Sequence, residues 1–360
     1  MSMIMHERPG VYSVYDASSA VFAGRASKIV GVAARAVRGD VGKAVTVTGY
    51  AAGVEAFGED AVPGMSTVLR LLFANGASAV TAVRVADAAE DGDEAQVLAD
   101  YQSAFAALGK ENVQIVVCDS GDLAVQQALR NAVTEASASR RERIALVGGS
   151  GEDAAALVER AKALNSERMV LVGPDPLDAS GKTLPGVFAA AAVAGAVAAG
   201  RDPAVPLNGT ELKGLGGLSQ EYGDNDIDLL VRGGVTPLET AAGIISPVRG
   251  ITTRTKTGEA ADATWRELTT ILIVDDVIPS IRDALHSKFK RTKNTVRSRG
   301  AIRSQVIVEL EKKTAAEIID GYGEVSVTAS ADDPTVCLVE FGFAVAHGLN
   351  QIYLTVHITI

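Results

Sequence analysis

Three short apolar runs set the reading of the fold: NVQIVVCDS (112–120), RIALVGG (143–149) and RMVLVGPD (168–175). Nearly every residue in them is apolar and many are β-branched, the pattern of strands covered on both faces. Between them lie LAVQQALRNAVTEAS (123–137) and EDAAALVERAKAL (152–164), which carry apolar residues at helical spacing. Strand, helix, strand, helix, strand at this spacing predicts βαβ units, hence a parallel sheet with right-handed crossovers.

The same rhythm extends upstream. KIVGVAARA (28–36), KAVTVTG (43–49) and SAVTAVRVAD (78–87) read as strands, and TVLRLLFANG (67–76) as a helix ended by Gly76. Downstream, LPGVFAAAAVAGAVAAG (184–200) is the longest apolar run. It is shorter than the ~20 residues of a membrane span and rich in alanine, so it predicts a buried, tightly packed helix.

The texture changes at RDPAVPLNGTELKGLGGL (201–218), a Pro/Gly-rich stretch that marks a domain boundary. Beyond it, IDLLVRGGVTPLE (227–239) reads as a short helix and turn. GIISPVRGITTRTKTG (243–258) reads as a strand pair or a strand and loop. Residues 263–290 and 301–316 read as helices, whereas 324–330, 334–348 and the closing QIYLTVHITI (351–360) read as strands. The expected organisation is an N-terminal arm over 1–20, an α/β middle domain with a mainly parallel sheet over 21–218, an α+β C-terminal domain over 219–347, and a C-terminal arm over 348–360. In that last arm Ile352, Leu354, Val356, Ile358 and Ile360 alternate with polar residues. An alternating strand so placed at a chain end raises the question of its partner.

Composition narrows the function. A net charge of −10 argues against a protein that wraps nucleic acid. MSMIMHERPG has no basic start followed by an apolar run, so no signal peptide is expected. Two cysteines, Cys118 and Cys337, in apolar runs predict reduced thiols and a cytosolic setting. The four histidines (His6, His286, His347 and His357) are scattered, with no metal or triad spacing and no P-loop lysine motif, and no cofactor is expected. Asp275 and Asp276 lie in an apolar helix, where a structural role is the simpler reading.

LVGGSGEDAA (146–155) is the strongest enzyme-like signal. Gly149, Gly151 and Ala154 match G-x-G-x-x-A between a strand and a helix, and Asp175 follows near the end of the next strand, as in dinucleotide sites. Glu152 and Asp153, however, put negative charge where a pyrophosphate would sit, and Glu152 stands where a nucleophile elbow needs glycine. A soluble α/β dinucleotide-binding enzyme is therefore the alternative reading.

One charged segment stands apart. Arg282, Lys288, Lys290, Arg291, Lys293, Arg297, Arg299 and Arg303 are accompanied only by the acid Asp283, a net charge of about +7 in an acidic chain. It reads either as a solvated helix end and loop or as a docking surface for an acidic partner.

Taken together, several segments resemble the contractile tail sheath family of phage tails, R-type bacteriocins and other contractile injection systems. They are RPGVYSVYDASS (8–19), AVAGAVAAGRDPAVPLNG (192–209), LLVRGGVTPLET (229–240), RGITTRTKTG (249–258), TWRELTTILIVDDVIPSIRDAL (264–285) and residues 331–360. The resemblance covers nearly all of the C-terminal half but only the arm and layout of the N-terminal half. It implies a non-enzymatic structural subunit: hexameric rings stacked helically around an inner tail tube, in a metastable extended state that contracts to drive the tube through a target envelope. Strand arms would be exchanged between subunits, with Val11, Tyr12, Val14 and Tyr15 in one arm and Ile352, Leu354, Val356, Ile358 and Ile360 in the other, and 334–346 in the receiving sheet. Lys288, Lys290, Arg291, Lys293, Arg297 and Arg299 would face the tube. Implied partners are further copies of the chain, the tube, baseplate and terminator proteins, with no direct nucleic acid and no membrane insertion. The particle would assemble in the bacterial host cytoplasm and end in a virion tail or a released contractile particle. The chain length implies that the large outer decoration domains of bigger sheaths are lacking.

Overall fold

A computed structural model describes residues 28–87, 93–350 and 353–356. Its first half follows the expected rhythm: β1 (Val30–Arg35), β2 (Ala44–Val47), α1 (Tyr50–Phe57), α2 (Met65–Ala74), β3 (Val80–Val85), α3 (Glu94–Gly109), β4 (Ile115–Cys118), α4 (Leu123–Ala138), β5 (Ile144–Gly148), α5 (Ala154–Leu164) and β6 (Met169–Gly173). The two-residue strand β7 (Pro176–Leu177), helix α6 (Val187–Ala199) and β8 (Gly217–Leu218), which pairs with β7, come next. Then follow α7 (Asp224–Arg232), β9 (Val235–Ala241), β10 (Ile244–Pro247) and a small hairpin, β11 (Lys256–Thr257) with β12 (Ala260–Ala261). The chain continues through α8 (Leu268–Phe289), α9 (Val296–Ala315), β13 (Ile319–Tyr322), β14 (Ser326–Ala329), β15 (Cys337–Glu340) and β16 (Phe343–Val345).

Eight strands form one sheet in the order β10-β9-β6-β5-β4-β1-β3-β2. The six inner strands run parallel, and β10 and β2 close the two edges antiparallel. Side chains alternate across a strand, and here both faces are buried. Ile115 and Val117 of β4, Ile144 and Leu146 of β5, and Val170 and Val172 of β6 enter the core beneath α2 and α6. Val116, Ala145, Val147, Met169 and Leu171 enter the core beneath α3, α4 and α5. Double coverage is why these strands carry almost no polar residues.

Residues 201–218 do not end the sheet, because β9 returns to pair with β6 and β10 with β9. The segment 227–239 is thus a helix followed by a strand, not a helix and turn. The run 334–348 is likewise not one strand. It breaks at Phe341-Gly342 into β15, which pairs with β14, and β16, which pairs with β13.

Helix α6 is the buried helix that the alanine-rich run predicts, with Val187 through Ala198 all buried. No helix among the described residues is long and apolar enough to cross a membrane. Small side chains let α6 press against its neighbours. A Cβ at Gly195 would lie 2.7 Å from the Leu72 carbonyl oxygen of α2, and one at Gly148 would lie 2.0 Å from the Gly186 carbonyl carbon.

Helix α8 joins this sheet layer to a second core. Its first turn, through Leu268 and Ile271, packs with the α2/α6 face. Ile273, Val277 and Ile281, at four-residue spacing, pack with Val306 and Leu310 of α9 and with Ile318, Ile319 and Val325. Pro279 lies inside the helix and removes one backbone donor from it.

The contact of α6 with α2 gives a direct expectation. Gly195→Ala should force the two helices apart and cost about 1–3 kcal/mol, in the usual range for overpacking, read as a lower unfolding midpoint by calorimetry with far-UV circular dichroism unchanged.

Candidate interaction surfaces

In doubly wound sheets ligands sit at the carboxyl ends of the strands where the order reverses. Here that point lies between β1 and β4, and the chain's own groups close it. Asp119, just after β4, accepts hydrogen bonds from the Tyr101 hydroxyl at 2.6 Å and from the Arg35 backbone N–H at 2.9 Å. The Arg35 guanidinium stands 6.0 Å from the centre of the Tyr101 ring. Burial pushes the Asp119 carboxyl above its usual range, while the hydrogen bonds from Tyr101 and Arg35 pull the other way. Burial and the Asp119 charge push the Tyr101 hydroxyl up as well.

The glycine loop after β5 is filled in the same manner. Asp175, whose spacing matched that of a dinucleotide site, instead accepts the Gly151 N–H at 2.7 Å. Burial raises its pKa, and hydrogen bonds from the Gly151 and Gly186 backbones oppose that rise. Asp153 caps α5 by accepting from the Ala156 N–H at 2.8 Å, and Glu152 holds Arg160 in an ion pair of 2.8 Å. A Cβ at Gly149 would fall 2.5 Å from the Glu152 carboxylate. The room and the donors a pyrophosphate needs are taken by carboxylates of the chain itself, so Gly149, Gly151, Ala154 and Asp175 form a structural turn. The dinucleotide reading finds no support here.

Asp275 and Asp276 are the hubs that seat α8. Asp275 receives both terminal nitrogens of Arg168, at the start of β6, at 2.8 and 3.1 Å. Asp276 accepts from Lys313 of α9 at 2.6 Å, and Lys313 also donates to the Ser280 hydroxyl at 3.0 Å. About one helical turn beyond Pro279, Arg282 reaches back to Glu142, before β5, at 2.6 and 3.2 Å. Charges of opposite sign thus cross the joint in both directions.

Arg282 is consequently no part of a free basic face, and Arg303 also turns inward, donating to the Val325 carbonyl at 2.8 Å. The remaining cations surround the α8–α9 turn. Lys288 donates to the Gln305 side chain at 2.5 Å and Arg299 to the Asn294 side chain at 2.9 Å, both neutral acceptors, and neither cation has an ion pair among the described residues. Lys290, Arg291, Lys293 and Arg297 are exposed and form no ion pair among the described residues. Asn294 anchors the turn by donating to the carbonyls of Pro334 and Val336 at 2.9 and 3.1 Å, and Thr295 caps α9 through the Ser298 N–H. The basic run is therefore a firmly held tip, not a loose loop.

Among the arm residues, Val11, Tyr12, Val14, Tyr15, Ile352, Ile358 and Ile360 lie outside the described residues. Leu354 and Val356 are 85% and 67% exposed and belong to no strand. Each of β13, β14, β15 and β16 pairs with a single neighbour among the described residues, so the two small sheets keep open edges. Cys118 is buried, which pushes its thiol up to about 12, and Cys337 is half-buried; neither forms a disulfide. His286 and His347 are exposed, and no group of three potential metal ligands occurs among the described residues.

Comparison with known proteins matches residues 97–253 to the phage tail sheath protein central domain and residues 260–359 to the phage tail sheath C-terminal domain. The chain belongs to the phage tail sheath family. A relative, the tail sheath protein of Bacillus phage SP01, is 30% identical over 249 residues, which is 68% of this chain and 42% of the relative; the chain thus spans less than half the length of that protein. Solved structures share the fold. The crystal structure of a sheath tail protein from Desulfitobacterium hafniense has a TM-score of 0.70 at 13% identity, over 93% of this chain and 100% of that one. The helical sheath of the anti-feeding prophage in its contracted state has a TM-score of 0.73 at 17% identity, over 98% and 99%. The contracted PVC sheath complex of an extracellular contractile injection system has a TM-score of 0.73 at 15% identity, over 99% of each chain.

The Arg282–Glu142 pair predicts a pH signature. Burial pushes the Glu142 pKa up, but the Arg282 hydrogen bonds outweigh it and hold the carboxyl below its ordinary 4.5. A depressed folded-state pKa stabilises the fold above the unfolded value and loses that contribution as pH falls through the folded one. Glu142→Gln should therefore lower the melting temperature at pH 7, with the difference from the unmodified protein shrinking to nothing well below pH 4.5.

Proposed function

We propose that the chain is a structural, non-enzymatic subunit of a contractile sheath. The observation that carries this reading is the pair of sheath-family matches, central then C-terminal, along one chain whose fold follows contracted sheaths over nearly its whole length. On this reading copies assemble into hexameric rings stacked helically around an inner tube. A baseplate triggers contraction and a terminator caps the stack. The extended assembly is metastable, and the gain in subunit contact on contraction drives the tube through a target envelope, with no nucleotide required. Assembly takes place in the producing host's cytoplasm, and the sheath ends in a virion tail or a released particle.

Residues 8–19 and 351–360 act as arms that add strands to neighbouring copies, with Val11, Tyr12, Val14 and Tyr15 at one end and Ile352, Leu354, Val356, Ile358 and Ile360 at the other. The open edges of the β13–β16 and β14–β15 pairs support this, since an edge strand offers unpaired backbone donors and acceptors. The exposed side chains of Tyr353, Leu354 and Val356 have the apolar character of a strand meant to be covered. Lys288, Lys290, Arg291, Lys293, Arg297 and Arg299 face an acidic strip of the tube. Exposed ion pairs each contribute at most about 1 kcal/mol, which suits a contact that must hold in one state and let go in the next.

Two experiments test this. Deleting residues 351–360 should abolish sheath polymers in negative-stain micrographs while leaving a folded subunit; intact polymers would rule out the C-terminal arm. Reversing Lys290, Arg291 and Lys293 to Glu should spare self-assembly but weaken tube docking at least ten-fold, most steeply at low salt. Docking that is unchanged removes the basic tip from the tube interface.

A further inference from the structure

Two parts of the chain that are far apart in sequence meet at one loop, residues 200–208, which leads away from α6. At its start, the ammonium of Lys28, just before β1, donates to the Gly200 carbonyl at 2.7 Å, across 172 positions. At its end, the Asn208 side-chain amide donates to the Asn350 side chain at 2.8 Å, across 142 positions. Between these contacts the loop presses on the segment that follows β16: a Cβ at Gly348 would lie 2.9 Å from the Pro206 ring. Lys28, Gly200, Pro206 and Asn208 all line one small cavity of about 30 Å³, which Leu268 and Leu272 of α8 help to close. The two contacts are therefore neighbours in space.

The loop is suited to carrying a displacement rather than absorbing it. Pro203 and Pro206 fix their own backbone torsions, and Pro203 is buried. The Asp202 carboxylate accepts the Ala204 N–H at 2.9 Å, which holds the first turn of the loop. Just past its end, the Gly209 N–H donates to the Pro247 carbonyl of β10 at 3.0 Å, and the Thr210 N–H to the Leu207 carbonyl at 3.0 Å. Ala204 packs against the core shared by α8 and α9, and Leu207 against the core of the sheet. The same loop thus touches both cores as well as both contacts.

We infer that loop 200–208 is a mechanical coupler: it ties the chain at Lys28 to the chain at Asn350, and both to the seat of α8. A shift at either contact moves the loop, and the loop moves the other contact. Coupling between two sites is reciprocal, so loosening one must loosen the other to the same degree. The inference concerns a single chain. It does not depend on the sheath reading or on what either end of the chain meets beyond these contacts.

Amide exchange in the isolated full chain, read residue by residue, tests it. The reporters are the Val30 N–H, bonded to the Ala79 carbonyl at 3.3 Å, and the Ala346 N–H, bonded to the Ile318 carbonyl at 3.3 Å. Asn350→Ala should speed exchange at Val30, and Lys28→Ala should speed it at Ala346, each by about three-fold, the scale of one exposed hydrogen bond. Amides of β5 should not change in either variant. In a Pro206→Gly background, where the loop can flex, both cross-effects should vanish. Variants that alter only their own end of the chain would overturn the coupling. So would faster exchange in β5, which means general loosening, and so would cross-effects that survive Pro206→Gly, which means the coupling bypasses the loop.

Discussion

Leu268 and Ile271 belong to the core of the sheet, while Ile273, Val277 and Ile281, on the next turns of the same helix, belong to the core with α9. Among the described residues α8 is the one helix or strand with buried residues in both cores, with the loop at Ala204 and Leu207 packing more loosely against each, so the seat of α8 is the main constraint on everything after residue 290. Apolar contact alone would leave that orientation loose, because burial is not directional. Direction comes from the polar groups. Arg168 grips Asp275 with two nitrogens, Arg282 grips Glu142 with two, and Lys313 holds Asp276 and Ser280. A forked guanidinium satisfied by both oxygens of a carboxylate tolerates little rotation.

Such pairs are not a cheap source of stability. Desolvating charges can cancel most of their attraction, and a hydrophobic replacement often does as well or better. Burial accordingly raises the pKa of Asp275 despite the Arg168 contact beside it. What the pairs supply is a single registered seat for α8. That property matters more for a subunit working in a repeating assembly than for an isolated protein, since a few degrees of play at each joint would accumulate along a stack. Removing one partner would leave the other charge buried and exposed to the full desolvation cost, so loss of the pair is far more damaging than its presence is helpful.

How much of this could be read from the sequence depends on the range of the interactions involved. The strands from β3 to β6 and helices α2, α4, α5 and α6 are encoded by local apolar periodicity and were legible. Helix α3 was equally encoded, with Asp93 as its cap and Tyr101, Ala104, Phe105 and Leu108 on its buried face, and simply stands behind a less regular stretch. Strand β9 was hidden by Pro237, a residue that normally argues against a strand with neighbours on both sides; here it pairs opposite Gly173, and its carbonyl still accepts from Val248. The split between β15 and β16 was not legible, because the apolar run continues through Phe341 and only the choice of partners divides it. The glycine loop shows the same limit at a site. Its spacing is that of a phosphate cradle, and the group that fills it, Asp175, comes from the next strand and also meets the backbone of Gly186.

The basic run shows why charge counts along a sequence overstate a surface. Eight cations cluster between 282 and 303, yet one is spent 140 positions away on Glu142 and another on the Val325 carbonyl. The pairing that seats α8 thus divides the run into a part used inside the fold and a part left in solvent. Arg282 and its carboxylate join α8 to the sheet layer in a half-buried pair. Lys290, Arg291, Lys293 and Arg297 stand in solvent on a turn pinned by Asn294 and Thr295, where screening is strong and each contact is weak. The division between a charge used inside the fold and charges left in solvent is made within a single helix and the turn that follows it.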